Sequence, residues 1–155
     1  MPELFTESAP LFIGVVFAFC LVIGSFLNVV IYRLPIMMER DWREQCEEML
    51  ENPSEREIPQ ERFDLVVPHS TCPSCGAAIR AWQNIPVVSY LFLGGKCANC
   101  GDSISARYPL VELLTAVLAA LCAWRFGASW EALMAVVMTL MLVPIAMIDA
   151  DTMYI

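Results

Sequence analysis

Cys72-Pro73-Ser74-Cys75-Gly76 and Cys97-Ala98-Asn99-Cys100-Gly101 are two C-x-x-C-G knuckles with 21 residues between them. A tetrahedral zinc site needs soft or borderline ligands converging from short turns, and a two-residue spacer lets both thiolates of a pair reach one ion. The glycine after each second cysteine suits the positive φ of so tight a turn. It also leaves backbone N–H groups free to face the sulfurs. The knuckles repeat: Cys72-x-x-Cys75-Gly76-x-x-Ile79-x-Ala81 aligns with Cys97-x-x-Cys100-Gly101-x-x-Ile104-x-Ala106 at an offset of 25. Two copies are too few for a solenoid, so they read as one ribbon of two similar halves. A disulfide pair and a redox C-x-x-C are the competing readings. The paired spacing favours zinc, with Cys72, Cys75, Cys97 and Cys100 as ligands.

The ribbon is set in an apolar chain. Of 155 residues 58% are hydrophobic, and the mean hydropathy of +0.60 points away from a soluble domain. The formal charge of −8 disfavours a nucleic-acid partner despite the zinc motif. Eight of the nine Lys/Arg residues fall between Arg33 and Arg107, the segment that holds the knuckles. Of seven cysteines, Cys20 and Cys122 lie in apolar runs and read as buried thiols, while Cys46 sits among charges. Thiolates that hold zinc imply a reducing compartment, so the polar segment is expected in the cytosol.

Leu11–Tyr32 is 22 residues without a charge, about 33 Å as a helix and enough to cross a bilayer core. The acidic start, the length of the run and the Arg33 that follows argue against a signal peptide. Ser25 and Asn28 share a face with Gly24 beside them, a face expected to pack on another helix. Arg33, Arg40 and Arg43 orient this helix with its N-terminus outside. Glu39–Glu51 reads as a separate short amphipathic helix with Trp42, Cys46, Met49 and Leu50 on one stripe, ended by Asn52-Pro53-Ser54. Glu55–Glu61 reads as loop and Phe63–Val67 as a short strand. His69 is left unligated because four cysteines complete a site. Val87–Leu93 is apolar but too short to span; it is a helix or strand on the membrane surface, or the ribbon's own core.

Tyr108–Trp124 and Ala132–Ile148 are two further spans. The first contains Glu112, an expensive intramembrane acid that either sits at the interface near the end of the run or takes the nearby Arg107 as partner, and the second contains Pro144. Alternation brings Asp149 and Asp151 to the face that carries the ribbon. The expected fold is a mostly α integral membrane protein: three transmembrane helices with a cytosolic zinc-ribbon domain inserted between helices 1 and 2. The parts are 1–33, with helix 1; 34–107, with the ribbon at 72–101; and 108–155, with helices 2 and 3. An aspartate at a helix end is ordinarily an interfacial marker. The sharper alternative is half of an aspartyl dyad, which Asp149 and Asp151 cannot form between themselves, since i and i+2 point to different faces.

Gly24-Ser25-Phe26-Leu27-Asn28-Val29-Val30-Ile31-Tyr32-Arg33-Leu34-Pro35 resembles the opening signature of the type IV prepilin peptidases, the prepilin leader peptidase/N-methyltransferases. So do the knuckles with Asn84-Ile85-Pro86, Gly94-Gly95-Lys96 and Arg107-Tyr108-Pro109-Leu110-Val111-Glu112, and then Ile148-Asp149-Ala150-Asp151. The resemblance covers essentially the whole chain. It implies a multi-pass aspartic endopeptidase of the bacterial inner membrane. Such enzymes cut the leader from prepilins of type IV pili and pseudopilins of type II secretion, then methylate the new N-terminus with S-adenosylmethionine. Carried over by motif, Asp149 is the first catalytic aspartate, the four cysteines hold the metal, and Gly95 falls in the region tied to methyl transfer. The family's further C-terminal membrane helices, about eight spans in all at ~20 apolar residues each, and its second, Gly-x-Gly-Asp aspartate are absent from this sequence. The expectation is therefore an N-terminal portion, inactive alone. The alternative is a non-enzymatic membrane scaffold whose ribbon docks partners. The partners implied are prepilin substrates, the lipid bilayer and those further helices.

Overall fold

A computed structural model of the chain describes residues 9–49 and 62–153. Three helices dominate it: α1 (Ala9–Met49), α3 (Arg107–Phe126) and α4 (Trp130–Thr152), with a short α2 (Val88–Phe92) between α1 and α3. All three long helices are long and apolar enough to cross a membrane. No strand occurs among the described residues, only two isolated antiparallel bridges in the knuckles. The expected mostly α architecture, with a four-cysteine domain between the first two spans, is therefore present.

α1 packs mainly on α3, and α4 completes the bundle. The shared core is Leu27 and Ile31 from α1, Val111 from α3, and Val143 and Ile148 from α4. Small residues set the α1–α3 distance: Thr115, Ala116, Ala119 and Ala123 of α3 are all buried, and Gly24 of α1 faces them. A Cβ on Gly24 would lie 2.9 Å from the Glu112 Cα and 3.3 Å from the Thr115 Cβ, so only glycine fits this crossing. Between apolar spans such close backbone approach gives the dispersion contacts that a hydrophobic effect cannot supply inside lipid. Phe19, Val22, Leu121, Met138, Met141 and Leu142 point outward, as expected where the solvent is hydrocarbon.

Two expectations from sequence need correcting. The break after Tyr32 and the separate helix over 39–51 do not occur: α1 runs unbroken through Pro35 for 41 residues. Proline removes one backbone hydrogen bond, but Leu34 and Ile36-Met37-Met38-Glu39-Arg40 are compatible with helix, and no capping residue offers the chain a way out. Leu50 and the expected stop at Asn52-Pro53-Ser54, like the loop at Glu55–Glu61, lie outside the described residues. Phe63–Val67 is a turn, not a strand. The Asp64 carboxylate accepts from the Val66 and Val67 N–H groups at 2.7 and 2.8 Å, and the Asp64 N–H donates to the Val67 carbonyl at 2.8 Å. With no neighbouring strand to offer ladder bonds, these local bonds win. α4 is capped by Ser129, whose hydroxyl accepts from the Ala132 N–H. It runs past Asp149 and Asp151, so both aspartates lie in its last turns.

Candidate functional site

The internal repeat is reproduced bond for bond. In the first half Cys72 N–H donates to Ala77 O, Gly76 N–H to Cys72 O, and Ile79 N–H to Ser70 O. In the second, Cys97 N–H donates to Asp102 O, Gly101 N–H to Cys97 O, and Ile104 N–H to Gly95 O. Bridges Thr71–Ala78 and Lys96–Ser103 close the two hairpins. Gly76 and Gly101 adopt φ of 68° and 75°, the left-handed region that favours glycine. The halves are tied across by the Ser74 hydroxyl, which donates to the Asp102 carboxylate.

The hairpins bring Cys72, Cys75, Cys97 and Cys100 together with all four sulfurs within 4.8 Å of one another. The Cys72–Cys100 separation of 3.9 Å is close to the edge of a zinc–thiolate tetrahedron, about 3.8 Å for Zn–S bonds of about 2.3 Å. All seven cysteines are free thiols. His69 stays outside the cluster. Asn99 reaches both halves: its N–H donates to Cys97 Sγ and its side-chain amide to Cys75 Sγ, each at 3.5 Å. Backbone N–H groups of Cys100 and Asn99 lower the Cys97 thiol to about 6, and the Asn99 amide lowers Cys75. The donor set, its spacing and its N–H support suit a soft divalent ion held in a closed site.

Three contacts fasten this domain to the helices. Arg33 is buried on α1; its guanidinium donates to the Asp64 carbonyl at 2.7 Å and to the Pro68 carbonyl. The Phe63 ring lies under both Arg33 and Arg40, 5.7 and 4.4 Å from the guanidinium carbons. On the other side Glu112 is 7% exposed and accepts from the Val87 N–H at 2.7 Å and from the Ser25 hydroxyl. Val87 holds φ at 57°, an outlier for a β-branched residue. Glu112 is thus not paired with Arg107, one of the two arrangements the sequence left open. Arg107 instead grips Asp151 through both carboxylate oxygens, clamping the start of α3 to the end of α4. Asn28 donates to the Tyr108 carbonyl at 3.1 Å, a helix-packing role.

Asp149 is half-buried in the last turns of α4, two residues before the clamped Asp151. The two point to different sides of the helix, about 200° apart. Gly95 has φ of 68°, and a Cβ there would lie 2.9 Å from the Tyr90 hydroxyl. The Tyr90 phenol therefore packs directly against this turn. Sequence reasoning missed Arg33, Tyr90 and the Val87 partner of Glu112. A lone arginine directly after an apolar run was the one available signal, and it was read only for orientation.

The family model described as the bacterial peptidase A24 N-terminal domain matches residues 18–126. A prepilin leader peptidase/N-methyltransferase of Neisseria gonorrhoeae is 54% identical over 134 residues, covering 86% of this chain and 46% of that protein. One from Stutzerimonas stutzeri is 50% identical over 151 residues, covering 97% and 52%. One from Pseudomonas aeruginosa is 52% identical over 131 residues, covering 84% and 44%. The chain spans about half the length of the curated relatives it matches. No solved structure matches it.

Proposed function

Because the chain belongs to the bacterial peptidase A24 N-terminal domain family, we propose that it forms part of a prepilin leader peptidase/N-methyltransferase. The observation that carries this reading is about 50% identity to relatives of that name across nearly the whole chain. In the proposed arrangement the protein sits in the bacterial inner membrane with its N-terminus outside. The reduced four-cysteine domain and Asp149 then face the cytosol, in keeping with the basic residues around that domain.

Asp149 is proposed as one carboxylate of an aspartyl pair. In such a pair the ionised carboxylate takes a proton from the attacking water while the protonated partner donates to the carbonyl oxygen of the scissile bond. The partner is expected from the half of the relatives' length that this chain does not span. The Arg107–Asp151 clamp would hold the end of α4, and so the Asp149 backbone, in place. Cys72, Cys75, Cys97 and Cys100 would hold zinc, which supplies a structural cross-link between the two hairpins. By resemblance Gly95 bears on methyl transfer. With Tyr90 packed against it, it would act by shaping its turn, and no methyl-transfer step is assigned to the described residues.

The test is Asp149→Asn in a full-length version of the enzyme. Leader cleavage should be lost while membrane insertion and zinc content stay normal. Cleavage at the unaltered rate would refute the assignment. Cys72→Ser should lower bound zinc, and an unchanged zinc stoichiometry would refute the metal site.

A further inference from the structure

The segment between the knuckles is apolar and turned outward. From Trp82 to Gly95 it carries no charged residue. Leu91 is 71% and Phe92 86% exposed, and Trp82, Ile85 and Val88 are exposed beside them. An apolar patch of this kind next to three spanning helices needs a cover. We propose that Trp82–Phe92 is a membrane-interface insert. Its apolar side chains lie among the outer acyl segments of the leaflet where α3 begins, and Arg80 and Lys96 face lipid phosphates on either side.

Three observations place the bilayer, not water, over this patch. The first is depth. α3 has 20 residues, about 30 Å of rise, which matches the hydrocarbon core, so Arg107 and Phe126 mark its two boundaries. Glu112 is five residues inside, about 7 Å below the boundary, and it binds the Val87 N–H at the entrance to α2. That is the depth, about 5–10 Å, at which interfacial helices bury their apolar faces. The second is that α2 and its entrance bond much of their own backbone internally, which suits backbone at that depth. Ser89 N–H and its hydroxyl both bond the Ile85 carbonyl, at 3.1 and 2.8 Å, and the Gln83 side-chain carbonyl oxygen accepts from the Arg80 N–H at 2.7 Å. The Glu112 side chain also accepts the Val87 N–H. The third is the charge pattern: the exposed cations Arg80 and Lys96 bracket the apolar stretch, where anionic headgroups attract them. This inference rests on the membrane reading of the helices and is independent of the peptidase reading.

The experiment places one tryptophan in the patch. Phe92→Trp, with Trp42, Trp82, Trp124 and Trp130 replaced by Phe, is reconstituted as the full chain in vesicles of phosphatidylethanolamine and phosphatidylglycerol. Lipids brominated near the carboxyl end of the acyl chain should quench the introduced indole about twofold or more beyond those brominated near the methyl end, with little quenching by aqueous iodide. Iodide quenching without lipid quenching would overturn the inference, placing the patch in water. Protection from both quenchers would also overturn it, placing the patch under another stretch of protein. If the substituted chain does not fold, the chain that keeps only Trp82 gives the same readout with the same outcomes.

Discussion

Replacing Glu112 by alanine should release the ribbon's connecting segment from the helices while leaving the helices themselves assembled. The carboxylate accepts the Val87 N–H at 2.7 Å and the Ser25 hydroxyl, and both donors lie where water is scarce. A buried hydrogen bond contributes about 0.5–1.5 kcal/mol, and a buried donor left without a partner loses about 1–3 kcal/mol. Val87 also stores about 1–3 kcal/mol in its positive φ, which this bond holds in check and which would relax once the acceptor is gone. Opening of the segment should therefore become about 10- to 100-fold more frequent. Amide hydrogen exchange reads this at Val87 and its neighbours, with α3 residues beyond Thr115 as the internal control. Glu112→Gln keeps an acceptor oxygen for the Val87 N–H and should lose less, under about tenfold. Unchanged exchange at Val87 in Glu112→Ala would refute the idea that this carboxylate holds the segment.

Gly24→Val should force α1 and α3 apart, since its Cβ would meet the Glu112 Cα at 2.9 Å. The expected loss is about 1–3 kcal/mol, read as a lower melting midpoint in detergent; an unchanged midpoint would contradict the packing described. Gly95→Ala should weaken zinc retention under chelator challenge through its φ of 68° and its contact with Tyr90, and adding Tyr90→Phe should recover part of the loss. Failure of the second change to help would show that Tyr90 is not the obstacle. For pH, the Val67 and Val66 N–H groups and then Arg62 hold Asp64 down at about 2. A depressed carboxyl contributes above its unfolded value, about 4, and loses that contribution as pH falls through about 2. The Val66 and Val67 amide shifts should accordingly titrate near 2, and a midpoint near 4 would refute the turn.

The four-cysteine cluster was legible because its information is covalent: two spacings and a repeat fix which sulfurs converge, whatever surrounds them. The three spans were legible from run length alone. The continuity of α1 was not, because Pro35 and the polarity change after Tyr32 mimic a boundary while the backbone carries on. Glu112 was recognised as costly, but its partner is a main-chain amide of Val87, which no side-chain pattern reveals. Phe63–Val67 has the composition of a strand, yet strand formation needs a neighbour, and one aspartate at the right position turns the backbone instead. Asp149 was singled out by its position at a helix end and by motif, and the structure places it half-buried in the last turns of α4.

The unbroken length of α1 also sets its charged residues at fixed distances along one rod. Arg33 and Arg40 lie on the stretch that packs against Phe63, close to where the helix leaves the apolar layer. Glu44, Glu47 and Glu48 follow on the same rod; Glu47 is 14 residues beyond Arg33, about 21 Å along the axis. That exceeds two screening lengths at physiological salt, each about 8 Å. A charge at the level of Arg33 is therefore screened from Glu47 and Glu48, while Glu39 and Asp41 flank Arg40 directly.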